Sequence, residues 1–169
     1  MASSPDGPVS RYLNRRISVP IASLLRPTPI TPNQVSVAAF AMAIGAMLLL
    51  GAGRNIEAGL LIQASSIVDG VDGDLARAKH MASRFGGTFD AVLDRYADAA
   101  IASGLAWYAF EYEGYDYAYV AGFAAMVSFI MASYSRARLE REGGIEAASD
   151  LVGLGSRDVR LLLLAIGAV

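Results

Sequence analysis

The stretch Asp69–Asp94, DGVDGDLARAKHMASRFGGTFDAVLD, decides how this chain folds. It sets Asp69, Asp72, Gly73, Ala76 and Arg77 at fixed spacing and, after eight intervening residues, Gly86, Asp90 and Asp94. On an α-helix, residues three apart lie about 60° apart around the axis and residues four apart about 40°. Each carboxylate pair therefore projects from one face of its own helix. Two such helices lying antiparallel would converge four carboxylates on one small volume. Like charges in apolar surroundings repel and desolvate at high cost, which a cation offsets. The pattern predicts a divalent-metal site at Asp69, Asp72, Asp90 and Asp94. All-oxygen ligation suits Mg²⁺ or Mn²⁺, which keep positions open for phosphate oxygens and water. A thiolate or imidazole site is excluded, because the chain has no cysteine and a single histidine, His80.

Outward from this stretch the chain is apolar. Hydrophobic residues make up 54% of the 169 and charged residues 18%, and the charges are clustered. Apolar runs of roughly 20 residues are long enough to cross a bilayer. They predict an all-α, polytopic transmembrane bundle over 32–169, with spans at about 32–53, 55–79, 84–111, 116–139 and 157 onward. The last run, LLLLAIGAV, stops at Val169 before it could cross, so we expect a truncated C-terminus and about six helices in the intact protein. Over 8–26, Val9, Leu13, Ile17, Ile21 and Leu24 or Leu25 recur at helical spacing, with Arg11, Arg15 and Asn14 on other faces. This is an amphipathic helix suited to the membrane interface. Thr31 and Pro32 supply the N-cap and first turn of the next helix. We expect 1–169 to form one domain.

Loop charges predict orientation. Arg11, Arg15, Arg16 and Arg26 precede the first span, Arg77, Lys79 and Arg84 follow the second, and Arg136, Arg138, Arg141, Arg157 and Arg160 surround the fourth loop. The loop after the third span carries Glu111, Glu113 and Asp116, and the loop after the first only Arg54. By the positive-inside rule, the N-terminus and the carboxylate site face the cytoplasm. The first 20 residues hold no apolar core of the kind a cleavable signal needs. Trp107, Tyr108, Tyr112, Tyr115, Tyr117 and Tyr119 bracket the opposite loop as an interfacial belt.

The carboxylate pattern resembles the signature of the CDP-alcohol phosphatidyltransferase family, membrane enzymes that join an alcohol to the phosphate of a CDP-linked donor and release CMP. Every fixed position of that signature is filled. The resemblance implies that Asp69, Asp72, Asp90 and Asp94 bind Mg²⁺ or Mn²⁺, as two ions, and that Asp94 also acts as general base on the acceptor hydroxyl. It further implies that Asp69, Asp72, Gly73, Ala76, Arg77 and Gly86 contact the cytidine diphosphate, that the enzyme is a homodimer, and that no nucleic acid is involved. The small residues Gly73, Ala76 and Gly86 leave room for a nucleotide to approach the helices, and Arg77 suits phosphate oxygens or the cytosine edge.

Arginine outnumbers lysine thirteen to one. Its planar fork grips phosphate, so Arg138, Arg157 and Arg160 are candidates for binding a phosphorylated acceptor such as inositol phosphate or glycerol phosphate. Positive-inside bias alone would also account for them. The shorter stretches GPVSRYLNRRIS, TPNQVS and GSRDVR are similar to the transferase part of di-myo-inositol phosphate phosphate synthases, which condense CDP-inositol with inositol phosphate. In those enzymes a cytidylyltransferase domain can precede this part, and the start MASSPDG fits a chain cut from one. CDP-diacylglycerol as donor, in a phosphatidylinositol-phosphate or phosphatidylglycerophosphate synthase, is the alternative. A divalent-cation transporter would use the same hard ligands but has no need for the fixed glycine, alanine and arginine. Outside the signature, Asp98 continues the Asp90–Asp94 face as a partner for Arg95 or another basic group. Asp74 points elsewhere, to solvent or to Arg77 or Lys79, and His80 lies in an interfacial loop.

Overall fold

A computed structural model describes residues 14–141 and 157–168. They form helices and no strands: α1 Arg15–Leu25, α2 Pro32–Gly51, α3 Asn55–Ala78, α4 Arg84–Glu111, α5 Ala118–Arg141 and α6 Arg157–Ala168. Each expected span starts and ends within two residues of a helix. The part of the expected interfacial helix before Asn14 lies outside the described residues.

Local chemistry sets the helix starts near the signature. Thr31 and Gln34 form a capping box, Thr31 Oγ1 accepting from Gln34 N and Gln34 Oε1 from Thr31 N at 2.9 Å, with Pro32 in the first turn. Ser83 caps α4 by accepting from Gly86 N at 3.0 Å. After α3, His80 takes a left-handed conformation (φ 57°), and Met81 N donates to Ala76 O at 2.9 Å, closing the helix end. Lys79 Nζ donates to Thr28 O and Ile30 O, each at 2.6 Å, which ties the turn before α2 to this end of α3.

α2 is the central wedge. It packs on both α3 and α4, whereas α3 and α4 have little direct contact with each other. Ala43 and Ala46 of α2, Ile62 of α3, Ala97 and Ile101 of α4, and Leu161 and Ala165 of α6 form the core. Small residues dominate it, which lets helix backbones approach closely. At Gly104 an added Cβ would lie 3.0 Å from Met47 Cα, and at Gly122 it would lie 2.6 Å from Ala106 Cβ, so these glycines set the α2–α4 and α4–α5 crossings.

The outer surface is apolar. Two helices, Pro32–Gly51 and Ala118–Leu139, are long and apolar enough to cross a membrane. α3 and α4 fall short on composition because the signature carboxylates and their arginines lower their hydropathy. Their 24 and 28 residues rise about 36 and 42 Å, sufficient by length. On α5, Val120, Phe123, Val127, Ile130, Met131 and Tyr134 are all exposed.

α1 packs on α3 through a face that the sequence reading leaves open. That face begins with small and polar residues. Asn14 and Ser18 are buried, with Asn14 Nδ2 donating to Ser66 Oγ at 3.1 Å and Ser18 Oγ to Asp74 Oδ2 at 2.8 Å. Ala22, Ile21 and Leu25 continue the contact onto Val35, Val71 and Leu75. Ile17 and Leu24 from the apolar stripe are exposed.

Candidate active site

The signature carboxylates of α3 and α4 converge on one small volume. One carboxylate oxygen each from Asp69, Asp90 and Asp94 lies within 4.8 Å of the other two. Asp72, one turn along α3 from Asp69, is 8% exposed and accepts a short hydrogen bond from Ser36 Oγ of α2. Its carboxylate adjoins that trio through Asp90, with which it lines a cavity of about 180 Å³. The same cavity is lined by Gly73, Ala76 and Arg77 of α3, by Gly86, Gly87 and Asp90 of α4, and by Pro32, Asn33 and Ser36 of α2. Every expected nucleotide-contacting residue except Asp69 thus faces one space.

Absent side chains shape this cavity. A Cβ at Gly73 would lie 3.5 Å from the Arg77 guanidinium, and one at Gly86 would lie 3.2 Å from Ser83 Oγ and 3.4 Å from Asn33 Oδ1. The first turn of α4 borders the cavity through Ser83, Gly86 and Gly87, so the positive end of its dipole favours an anion there. Arg77 is half-exposed at the rim, and its Nη2 donates to Asp74 Oδ1 at 2.6 Å. Asp74, expected either in solvent or beside Arg77 or Lys79, is therefore the Arg77 partner and is also held by Ser18.

On the other side of the carboxylates lies Arg157, at the start of α6. Its Nη1 is 2.5 Å from Asp69 Oδ2 and 2.9 Å from Asp94 Oδ1, and its Nε donates to Asp98 Oδ1 at 3.2 Å. Asp98 is 3% exposed and accepts from Arg95 Nη2 at 3.3 Å as well, which agrees with its expected pairing. Arg160, one turn beyond Arg157, is directed elsewhere: its guanidinium stacks 4.7 Å from the Phe129 ring centre, and Nη1 donates to Phe129 O at 3.5 Å. Arg138 is exposed near the end of α5. A second, very small cavity is lined by Ser36, Ser65, Asp69, Asp94 and Arg157, so Ser36 stands on the wall between the two spaces.

The donor set fits a hard divalent cation. Asp69, Asp94 and Asp98 pair with two guanidiniums, Arg95 and Arg157, and Asp72 and Asp90 add two further carboxylates beside them. Asp90 Oδ1 is buried with no hydrogen-bond partner, an unused acceptor that a cation would satisfy.

Ser36, Asn33 and Asp98 were not among the expected site residues. Ser36 and Asn33 lie in TPNQVS, a stretch legible as a helix start, and only the packing of α2 reveals their second use. The available signal was a hydroxyl one turn into an otherwise apolar helix.

Comparison with known proteins agrees with this geometry. Residues 29–168 match the CDP-alcohol phosphatidyltransferase family model. The chain is 50% identical over 169 residues to the bifunctional IPC transferase and DIPP synthase of Rubrobacter xylanophilus, an alignment covering 99% of this chain and 38% of that protein. The chain thus spans a little over a third of the length of that relative. The crystal structure of Mycobacterium tuberculosis phosphatidylinositol phosphate synthase with CDP-DAG bound superposes with a TM-score of 0.67 at 26% identity, covering 90% of this chain and 88% of that one. The same mycobacterial protein in complex with manganese and citrate gives a TM-score of 0.65 at 24% identity, covering 90% and 83%. With the family model matching most of its length, the chain belongs to the CDP-alcohol phosphatidyltransferase family.

Proposed function

We propose that this chain transfers a substituted phosphate from a CDP-alcohol to an acceptor hydroxyl and releases CMP, with CDP-inositol as donor and inositol phosphate as acceptor. The observation that carries the reading is the single cavity lined by Asp72, Gly73, Ala76, Arg77, Gly86 and Asp90, which opens beside the Asp69–Asp90–Asp94 trio. The cytidine diphosphate lies in that cavity, its phosphates toward the first turn of α4 and Arg77. Asp69, Asp72, Asp90 and Asp94 hold two Mg²⁺ or Mn²⁺ ions. When bound, such ions neutralise the diphosphate and stabilise charge on the departing CMP.

The acceptor enters on the Arg157 side, with Arg157 supplying its phosphate contact. Asp94 takes the hydroxyl proton, the acceptor oxygen bonds to the phosphorus, and the bond from that phosphorus to the CMP oxygen breaks. The cavity beside Asp72 supports a donor on that side of the carboxylates, and Arg157 beside Asp69 and Asp94 supports an acceptor approaching from the other. The 50% identity to a protein named IPC transferase and DIPP synthase favours the inositol substrates.

A phospholipid synthase using CDP-diacylglycerol is the second reading, favoured by the structural likeness to a synthase with CDP-DAG bound. In both readings the chain is one multi-pass domain of the cytoplasmic membrane, a homodimer with its N-terminus and site facing the cytoplasm. The exposed apolar faces of α2 and α5 and the arginine-rich loops support that placement. Purified protein supplied with Mg²⁺, CDP-inositol or CDP-diacylglycerol, and inositol phosphate is expected to release CMP, and mass analysis of the product decides between the donors. Cation uptake into vesicles with no nucleotide turnover would indicate a transporter instead.

A further inference from the structure

Asp98 lies one turn beyond the signature on α4, yet it is as deeply buried as the core. Both of its oxygens are committed. Oδ2 receives Arg95 Nη2 at 3.3 Å, and Arg95 is itself anchored to α5 through Ser133 Oγ at 2.5 Å. Oδ1 receives Arg157 Nε at 3.2 Å from α6. An i,i+3 pair with Arg95 alone would already compensate one charge on α4, so the contact to α6 has to be explained separately. Its effect falls on Arg157. That guanidinium is held at Nε by Asp98 and at Nη1 by Asp69 and Asp94, and a planar group gripped at two of its nitrogens cannot rotate.

We infer that Asp98 is a positioning residue for the acceptor: by fixing Arg157 through Nε, it presents a pre-oriented guanidinium beside Asp94 to the acceptor's phosphate. The inference rests on the acceptor role of Arg157 proposed above. Pre-organisation is where the gain lies, because an arginine already oriented loses less freedom when the phosphate binds. Lysine at 157 could not replace it, since one ammonium cannot hold Asp98 and the carboxylate pair in the same plane.

The test is a double-mutant cycle on the purified full chain, with inositol phosphate as the probe, its affinity read by calorimetry, and Mn²⁺ affinity read by electron paramagnetic resonance. Asp98→Asn is expected to weaken inositol phosphate binding about tenfold or more while Mn²⁺ affinity stays within about twofold, the scale of losing one charge-assisted contact. In an Arg157→Gln background, the same substitution is expected to add no more than about twofold, because its effect passes through Arg157. Asp98→Glu carries the same cycle if Asn lowers the yield of folded protein. An equal loss in both backgrounds, or parallel losses of Mn²⁺ and inositol phosphate, makes Asp98 a structural ion pair and overturns the inference. If Arg157→Gln weakens inositol phosphate binding and Asp98→Asn does not, the inference fails while the acceptor reading stands. If Arg157→Gln has no effect, or the wild type does not bind inositol phosphate, both fail.

Discussion

At the scale of single residues, the site separates three tasks that the sequence pattern presents as one. Asp69, Asp90 and Asp94 share a small volume, Asp72 faces the neighbouring cavity, and Ser36 holds Asp72 there. Asp72→Ala is therefore expected to abolish CMP release while the protein still inserts and purifies as a folded species. Asn at the same position should be nearly as harmful, since it keeps the volume and loses the charge. Wild-type turnover in Asp72→Ala with metal present would falsify the site as described. Asp94→Asn separates base from ligand: loss of about 10²- to 10⁴-fold in turnover with donor and Mn²⁺ binding retained is the expected result. Ser36→Ala removes a hydrogen bond to a charged group, worth roughly 1.5 to 3 kcal/mol. We expect its main effect on donor affinity, measured as the KM for the CDP-alcohol, with acceptor KM little changed. Equal shifts in both constants would argue against a donor-side role for Ser36.

At the scale of elements, glycines and alanines decide how close the helices come. Gly122 is the sharpest case, because even the Cβ of alanine would sit 2.6 Å from Ala106 Cβ. Gly122→Ala should lower stability by about 1 to 3 kcal/mol, the usual range for overpacking, read as unfolding of the purified protein. Pairing it with Ala106→Gly should recover most of that loss; no recovery would mean that the α4–α5 crossing is set elsewhere. The helix boundaries themselves were legible, because Thr31–Pro32 and the polar break around Lys79–Ser83 are local signals. The packed face of α1 was not. Its apolar periodicity marks the stripe suited to the membrane interface, on which Ile17 and Leu24 are exposed, but not the contact through Asn14, Ser18 and Ala22, since the polar partners on α3 meet them only once the helices pack.

At the scale of the whole molecule, the arginine-rich and acidic loops predict sidedness. The chain has no cysteine, so a single introduced thiol reports cleanly. In sealed, inside-in cells, His80→Cys in the α3–α4 loop should be protected from a membrane-impermeant thiol reagent, and Glu113→Cys in the α4–α5 loop should be labelled. The reverse pattern would place the site on the outer side.

The sequence alone determined the helical class, the helix limits, the aspartate set and the family, because each depends on short-range periodicity, capping or fixed spacing within one or two helices. Only the tertiary structure decided how those residues divide. α2 inserts between α3 and α4, and that wedge lines the cavity shared by Asp72 and Asp90 and brings Ser36 to Asp72. It is α6, arriving 63 residues after Asp94 in the chain, that brings Arg157 into the cluster and gives Asp98 its second partner. Spacing along a helix fixes which side chains share a face; which helix meets that face depends on close packing between segments far apart in sequence, and one chain's local pattern does not encode that in readable form.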